Sequence, residues 1–312
     1  MSSLDTHFTI SRLRIPKTIF PYLGLLAGIL SLSFSTIFVR WANAPGIVMA
    51  FGRMSTATLV VAPFFFRRIR RMQTRPSWGD LLLAMAGGVL IALDHGSLNT
   101  ALQYTRVANG TLFNNISPLW VALIAWLLWK EKLTSRFWIG LAVTLMGMAL
   151  VFGSSILRDA RFNAGDAIAV GSSLFYALYF LVTQRARERM ETLVYIWPAV
   201  ATAALVLLVV SQAAGMPLGG YPPDTYLAFI AAGLVSQVIG YFSVGYALGH
   251  LPASIVAPTM TAQPLLTMLL AIPLTGEGLS PLQVFGGLAV ILGIFLVNQQ
   301  KKGGLPPAEP SV

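Results

Sequence analysis

The chain has 312 residues, 56% hydrophobic and only 10% charged, with a net charge of +10 and no cysteine. Soluble globular domains carry about 25% charged residues, so this composition excludes an ordinary water-soluble protein. The missing cysteine excludes disulfides, thiolate metal sites and cysteine nucleophiles.

Hydropathy along the chain predicts ten membrane-spanning helices near residues 21–39, 46–66, 79–103, 107–129, 136–153, 165–184, 193–212, 224–246, 252–274 and 281–298. Each is long enough to cross about 30 Å of hydrocarbon at about 1.5 Å per residue. The fold class is therefore all-α integral membrane, with no room for a separate catalytic or nucleotide-binding domain. The first span follows Arg12, Arg14 and Lys17 as a signal peptide would, but it is too long and lacks a small-x-small cleavage site. It reads as a retained helix. The Pro- and Gly-rich tail from Gly303 reads as disordered.

Charge placement predicts orientation. With a cytoplasmic N-terminus, 16 of the 21 cations fall inside, in groups at Arg12–Lys17, Arg67–Arg75, Lys130–Arg136, Arg185–Arg189 and Lys301–Lys302. Arg40, Arg106, Arg158 and Arg161 fall outside, and Arg53 alone lies within a span. Cytoplasmic loops are enriched in Lys and Arg, so both termini are expected in the cytoplasm of a bacterial inner membrane. The basic charge then faces anionic membrane lipid, and nucleic acid is not an expected partner.

Shifting the sequence by 146 residues lays Ala101-Leu102 on Ala247-Leu248, Pro118-Leu119 on Pro264-Leu265, Glu131 on Glu277, Leu133 on Leu279, Gly140 on Gly286 and Gly147 on Gly293. Each half holds five spans. An odd number makes the second copy enter the membrane with opposite polarity, and such inverted-topology repeats form a substrate site at their interface near the midplane. The expected organisation is a cytoplasmic segment 1–18, repeats at 19–153 and 164–299, and a cytoplasmic tail 300–312.

The run Ala101-Leu102, Pro118, Trp126, Glu131-Lys132-Leu133 and its echo Ala247-Leu248, Pro252-Ala253-Ser254, Pro264, Glu277-Gly278-Leu279 resembles the two EamA-type repeats of the drug/metabolite transporter superfamily. The resemblance covers roughly residues 20–298 and implies a secondary transporter, often an exporter, of amino acids and related metabolites. No motif here names the substrate.

The candidate substrate-binding residues are Arg53, Asp94, His95, Asn99, Asn114, Trp120, Tyr176, Gln237, Tyr241 and Gln263. Arg53 and Asp94 are the full charges inside spans, at similar depth, and could meet as a substrate or proton pathway or as a structural ion pair. His95 and Asn99 lie on one helical stripe, and the repeat places Tyr241 over His95 with Gln237 one turn earlier. Two such polar faces fit a wet cavity between the halves, or polar contacts between packed helices. Pro118 and Pro264 are candidate hinges. Each removes a helical hydrogen bond in mid-span, at the carbonyls of Asn114 and Met260, the alternative being a passive kink. Tyr176 and Trp120 could stack on substrate, and Gln263 adjoins Pro264. Glu131 and Glu277 read as helix-end packing or water-facing residues.

A direct ATP pump would need a GxxxxGK[ST] loop, and no Gly-Lys dipeptide occurs. An intramembrane hydrolase would need an HExxH or GxSxG arrangement, and neither is present. The expected partners are a small-molecule substrate, membrane lipid and a coupling ion such as the proton. No cofactor or metal is expected. The GxxxG pairs Gly24/Gly28 and Gly245/Gly249 read as packing within a monomer. A membrane receptor or assembly partner of the same architecture is the alternative to a carrier.

Overall fold

Ten long apolar helices account for nearly all of the computed structural model, which describes residues 19–156, 162–275 and 279–299. They are α1 (Phe20–Ala42), α2 (Gly46–Arg71), α3 (Trp78–Ala101), α4 (Val107–Leu128), α5 (Ser135–Gly153), α6 (Ala164–Arg187), α7 (Thr192–Ala213), α8 (Pro223–Leu248), α9 (Ala253–Leu270) and α10 (Pro281–Asn298). Each falls on one of the ten expected spans, and no strand occurs among the described residues. Glu277, Arg158, Arg161 and both chain ends lie outside the described residues.

Large apolar side chains such as Leu59, Leu205 and Phe285 are 75%, 60% and 68% exposed, on helices whose other faces are packed. Lipid is the solvent that makes such an outer surface stable, and the protein is integral to the membrane. Local starts are encoded by side chains. Ser77 with Asp80, Asn163 with Asp166, and Ser280 with Gln283 form reciprocal caps at the N-termini of α3, α6 and α10.

The helices pair as two related halves. α3 packs on α6 as α8 packs on α1, α4 on α6 as α9 on α1, and α3 on α7 as α8 on α2. α2 meets its own counterpart α7, and α5 meets α10. The last contact is a backbone seam. A Cβ added to Gly140 would lie 2.9 Å from the Gly293 carbonyl oxygen, and one on Gly147 would lie 2.7 Å from that of Gly286. Only glycine permits this approach. The GxxxG glycines also pack internally: Gly24 and Gly28 face Tyr246 and Val244 of α8, and Gly249 faces the Arg187 guanidinium.

Four helices, α1, α4, α8 and α9, depart from regular geometry within their spans. α4 consists of Val107–Asn114 and Ser117–Leu128, broken at Asn115 and Ile116. α9 is interrupted at Thr261, the residue that the repeat places over Asn115. Pro118 and Pro264 thus stand near the starts of the following segments, where a missing N–H and a fixed φ are tolerated, rather than inside continuous helices. In α8 the stretch Gly233–Tyr241 winds as a π-helix. Gly233 and Gly240 lie against Thr56 and Leu32 there.

α1 bends at Phe34 between Phe20–Ser33 and Ser35–Ala42. The carbonyls loosened by that bend are met from α9: Gln263 Nε2 donates to Leu32 O at 3.3 Å and Thr267 Oγ1 to Ser33 O at 3.0 Å. Backbone polar groups at membrane depth need such partners.

Candidate functional site

Arg53, Asp94 and His95 are 7%, 3% and 9% exposed and sit together between the two halves. Arg53 comes from α2, and α3 supplies both Asp94 and His95. Asp94 Oδ1 accepts hydrogen bonds from Ser172 Oγ of α6 at 2.6 Å and from Asn114 Nδ2 of α4 at 2.9 Å. Its other oxygen, Oδ2, lies 3.6 Å from His95 Nδ1. On the far side of the ring, His95 Nε2 is 2.5 Å from Arg53 Nη2. Arg53 Nη1 donates to Ser35 Oγ of α1 at 2.8 Å, while its buried Nε has no hydrogen-bond partner among the described residues.

The two charges inside the spans therefore do not meet directly. His95 stands between them. Sequence neighbours on a helix diverge by about 100°, but Asp94 and His95 start from adjacent Cα atoms, and their side chains can turn towards each other within that spread.

Two tyrosines complete the surroundings. The phenol groups of Tyr176 (α6) and Tyr241 (α8) lie within electrostatic reach of each other and of Asp94, and Arg53 feels both. Their rings belong to an aromatic group in which Tyr176 stacks on Tyr179 at 6.3 Å and Tyr179 meets Tyr241 edge-on at 5.8 Å.

The structure gathers Arg53, Asp94, His95, Asn114, Tyr176 and Tyr241. It places the other sequence candidates nearby with different work. Asn99 Nδ2 donates to the His95 carbonyl of its own helix at 2.7 Å, and its side chain fills the space over Gly46. Trp120 Nε1 donates to Ser173 Oγ at 3.0 Å. Gln263 braces the α1 bend. Gln237 is 1% exposed with both amide atoms unpartnered among the described residues, beside a small void lined by Met54, Ile91, Tyr179 and Tyr241. Ser35 and Ser172 were not singled out by sequence. Serines are ordinary on membrane helices, and neither sits in a motif.

The site is sealed on one side. Towards the end bearing Arg71, Lys130 and Arg187, the segment Ala253–Met260 of α9 is buried almost throughout, as are Val244, Gly245, Ala247 and Leu248 of α8. Side-chain ties hold this end: Gln184 Oε1 accepts from Ala253 N at 2.6 Å, Arg187 Nε donates to Gly245 O at 3.0 Å, and Ser254 Oγ donates to Glu131 Oε1 at 2.6 Å. Towards the opposite end, Ser35, Asn99, Asn114, Gln263 and Thr267 are only half-buried. A buried, charged, aromatic-walled site closed on one side and flanked by polar half-buried groups on the other can select a small charged solute.

The EamA-like transporter family matches residues 19–153 and 163–299. The chain belongs to that family. This EamA-like transporter is 24% identical over 251 residues to the uncharacterised transporter YyaM of Bacillus subtilis (strain 168), covering 78% of this chain and 81% of the relative. It is 24% identical over 314 residues to the uncharacterised inner membrane transporter YedA of Escherichia coli (strain K12), covering 95% and 96%. It is also 23% identical over 230 residues to a protein of Streptantibioticus cattleyicolor named "Probable terminal-alkyne amino-acid exporter", covering 73% and 77%. A solved crystal structure matches the fold with a TM-score of 0.75 at 18% identity, over 89% of this chain and 96% of the other. The doubled helix pairing, the family and its relatives make the protein a membrane transporter of two five-helix repeats.

Proposed function

We propose that this EamA-like transporter moves a small amino-acid-like metabolite by alternating access, with export as the physiological direction. The observation that carries the reading is the buried Arg53–His95–Asp94 row between the halves. Full charges within a membrane are costly, and they are retained where they recognise solutes or ions. Arg53 offers donors to a carboxylate, the tyrosines offer faces to an amine or an apolar side chain, and Asp94 supplies the balancing negative charge. The relative named "Probable terminal-alkyne amino-acid exporter" supports the substrate class.

In this reading Pro118 and Pro264 mark the hinges, at repeat-related interruptions of α4 and α9. The two repeats, 19–153 and 164–299, rock about the central site. The cation distribution supports cytoplasmic termini, with segments 1–18 and 300–312 on the cytoplasmic side of a bacterial inner membrane. The sealed, basic end then faces the cytoplasm and the site approaches the outside. One chain contains both halves of the site, which supports a monomeric carrier.

The test is flux. Purified protein in proteoliposomes should exchange radiolabelled L-amino acids from a panel of the twenty common ones, with competition by amines and nucleosides measured in parallel. Absence of flux for every solute across several lipid compositions, from protein that remains folded, would overturn the carrier reading.

A further inference from the structure

We propose that His95 is the proton carrier of this site and that a carboxylate loads it by pulling Arg53 away from its ring. The inference rests on the carrier reading and adds the coupling ion and the head group recognised. A guanidinium can only donate hydrogen bonds. The 2.5 Å contact from Arg53 Nη2 therefore makes His95 Nε2 an acceptor, and the single ring proton sits on Nδ1, facing Asp94 Oδ2 at 3.6 Å. While Arg53 occupies the Nε2 lone pair, the ring has no place for a second proton.

The geometry of Arg53 identifies what removes it. Nη1 is anchored on Ser35, Nη2 holds His95, and Nε is buried with no partner among the described residues. Nε and Nη2 form the guanidinium edge that takes a carboxylate two-pronged. The same molecule shows that edge in use: Arg68 donates from Nε to Glu191 Oε2 at 2.8 Å and from Nη2 to Glu191 Oε1. A carboxylate seated on the Arg53 edge takes Nη2 from His95, and the freed Nε2 accepts a proton from solvent.

Charge counting gives the stoichiometry. At rest the row is neutral, with Arg53 positive, Asp94 negative and His95 uncharged. A bound carboxylate adds one negative charge in a site where uncompensated charge is costly, and one proton on Nε2 restores neutrality. Asp94 remains the fixed acceptor, because Ser172 and Asn114 fill its other oxygen. The charged and titratable groups around His95 are Arg53 from α2, Asp94 of its own helix, Tyr176 from α6 and Tyr241 from α8; α4 brings the neutral Asn114. Tyr195 of α7 sits about two turns away, against Gly87 and Thr183. A carboxylate and a proton then move together without net charge.

The probe is acetate, small enough to need no side-chain pocket, titrated against chloride at constant ionic strength. Nitrogen-15 NMR of the histidine rings reads the outcome, with His95 assigned by its loss in His95→Gln. In chloride, His95 should show a protonated Nδ1 and a bare Nε2. Acetate should protonate Nε2 and take up about one proton per protein from weakly buffered solution. One linked proton raises the half-maximal acetate concentration about tenfold per pH unit while the free ring is neutral. Arg53→Gln should abolish the response, and Arg53→Lys, which keeps the charge but loses the two-pronged edge, should weaken it at least tenfold. A resting proton on Nε2, acetate without proton uptake, no acetate response, or an undiminished response in both Arg53 variants each overturns the proposal. A positive acetate response with no amino-acid flux would sink the carrier reading instead and leave the coupling standing.

Discussion

Ser254, at the start of α9, donates its hydroxyl proton to Glu131, just past the end of α4, at 2.6 Å and thereby ties the first repeat to the second. Burial is the main influence on this carboxyl and pushes its pKa above the ordinary value, with the serine bond pulling the other way. A raised folded-state pKa means that protonation favours the packed form: the contribution is complete below the unfolded pKa and is lost as pH rises through the folded one. Thermal stability in detergent should therefore fall as pH rises from 4 towards 7, and Glu131→Gln, which keeps an acceptor for Ser254, should flatten that slope. Glu131→Ala leaves the serine without its acceptor and should cost about 1 kcal/mol. An unchanged pH profile in Glu131→Gln would assign the slope to other groups.

The charged row separates function from architecture by a double-mutant test. Arg53→Gln should weaken apparent transport affinity at least tenfold while the protein stays folded, and Asp94→Asn should abolish transport or its pH dependence. A purely structural pair behaves differently: each single change destabilises, and combining them restores stability. Melting temperature and flux on the two singles and the double discriminate the outcomes. Full activity in a stable Asp94→Asn protein would remove Asp94 from the mechanism.

Alanine at Pro118 or Pro264 restores a backbone N–H beside the interruptions at Asn115–Ile116 and Thr261 and lets each helix heal. Transport rate should drop several-fold with little change in protein abundance. Wild-type kinetics in both variants would make the prolines passive.

Gly147→Ala places a Cβ against the Gly286 carbonyl, 2.7 Å away, where neither backbone can give. Overpacking of this kind costs about 1–3 kcal/mol, read as a lower melting temperature. Gly171→Ala, which meets nothing within 4 Å, is the matched control and should be neutral or better. Equal melting temperatures for the two variants would mean that α5 and α10 can part without penalty.

Orientation is testable because the chain has no native cysteine. An impermeant thiol reagent applied to intact cells should label a cysteine at Asn163 and spare one at Thr74. The reverse pattern would invert the assignment and the direction in which the site faces.

The ten spans were legible because each is a long apolar stretch bounded by charge or turn residues, and the paired interruptions because Pro118 and Pro264 share one offset. The row of Arg53, His95 and Asp94 was legible only as its members. Its order depends on rotamers and on the approach of α2 to α3, which periodicity does not encode. Ser172, which holds Asp94, carries no sequence signal at all. The π-helical turn of α8 was equally silent, because Gly233–Tyr241 reads as any apolar helix and its widening accompanies close packing on α1 and α2.

The seam of α5 and α10 pairs Gly140 with Gly293 and Gly147 with Gly286, while the internal repeat carries Gly140 to Gly286 and Gly147 to Gly293. Applying the repeat to either contact therefore returns the other, as in the isologous interface of a symmetric dimer. A lone five-helix unit that met its own upside-down copy would find this surface already complementary. The covalent join between α5 and α6 then supplies proximity rather than recognition, and halves produced as two separate polypeptides should still find each other, with this seam as one of the surfaces that match.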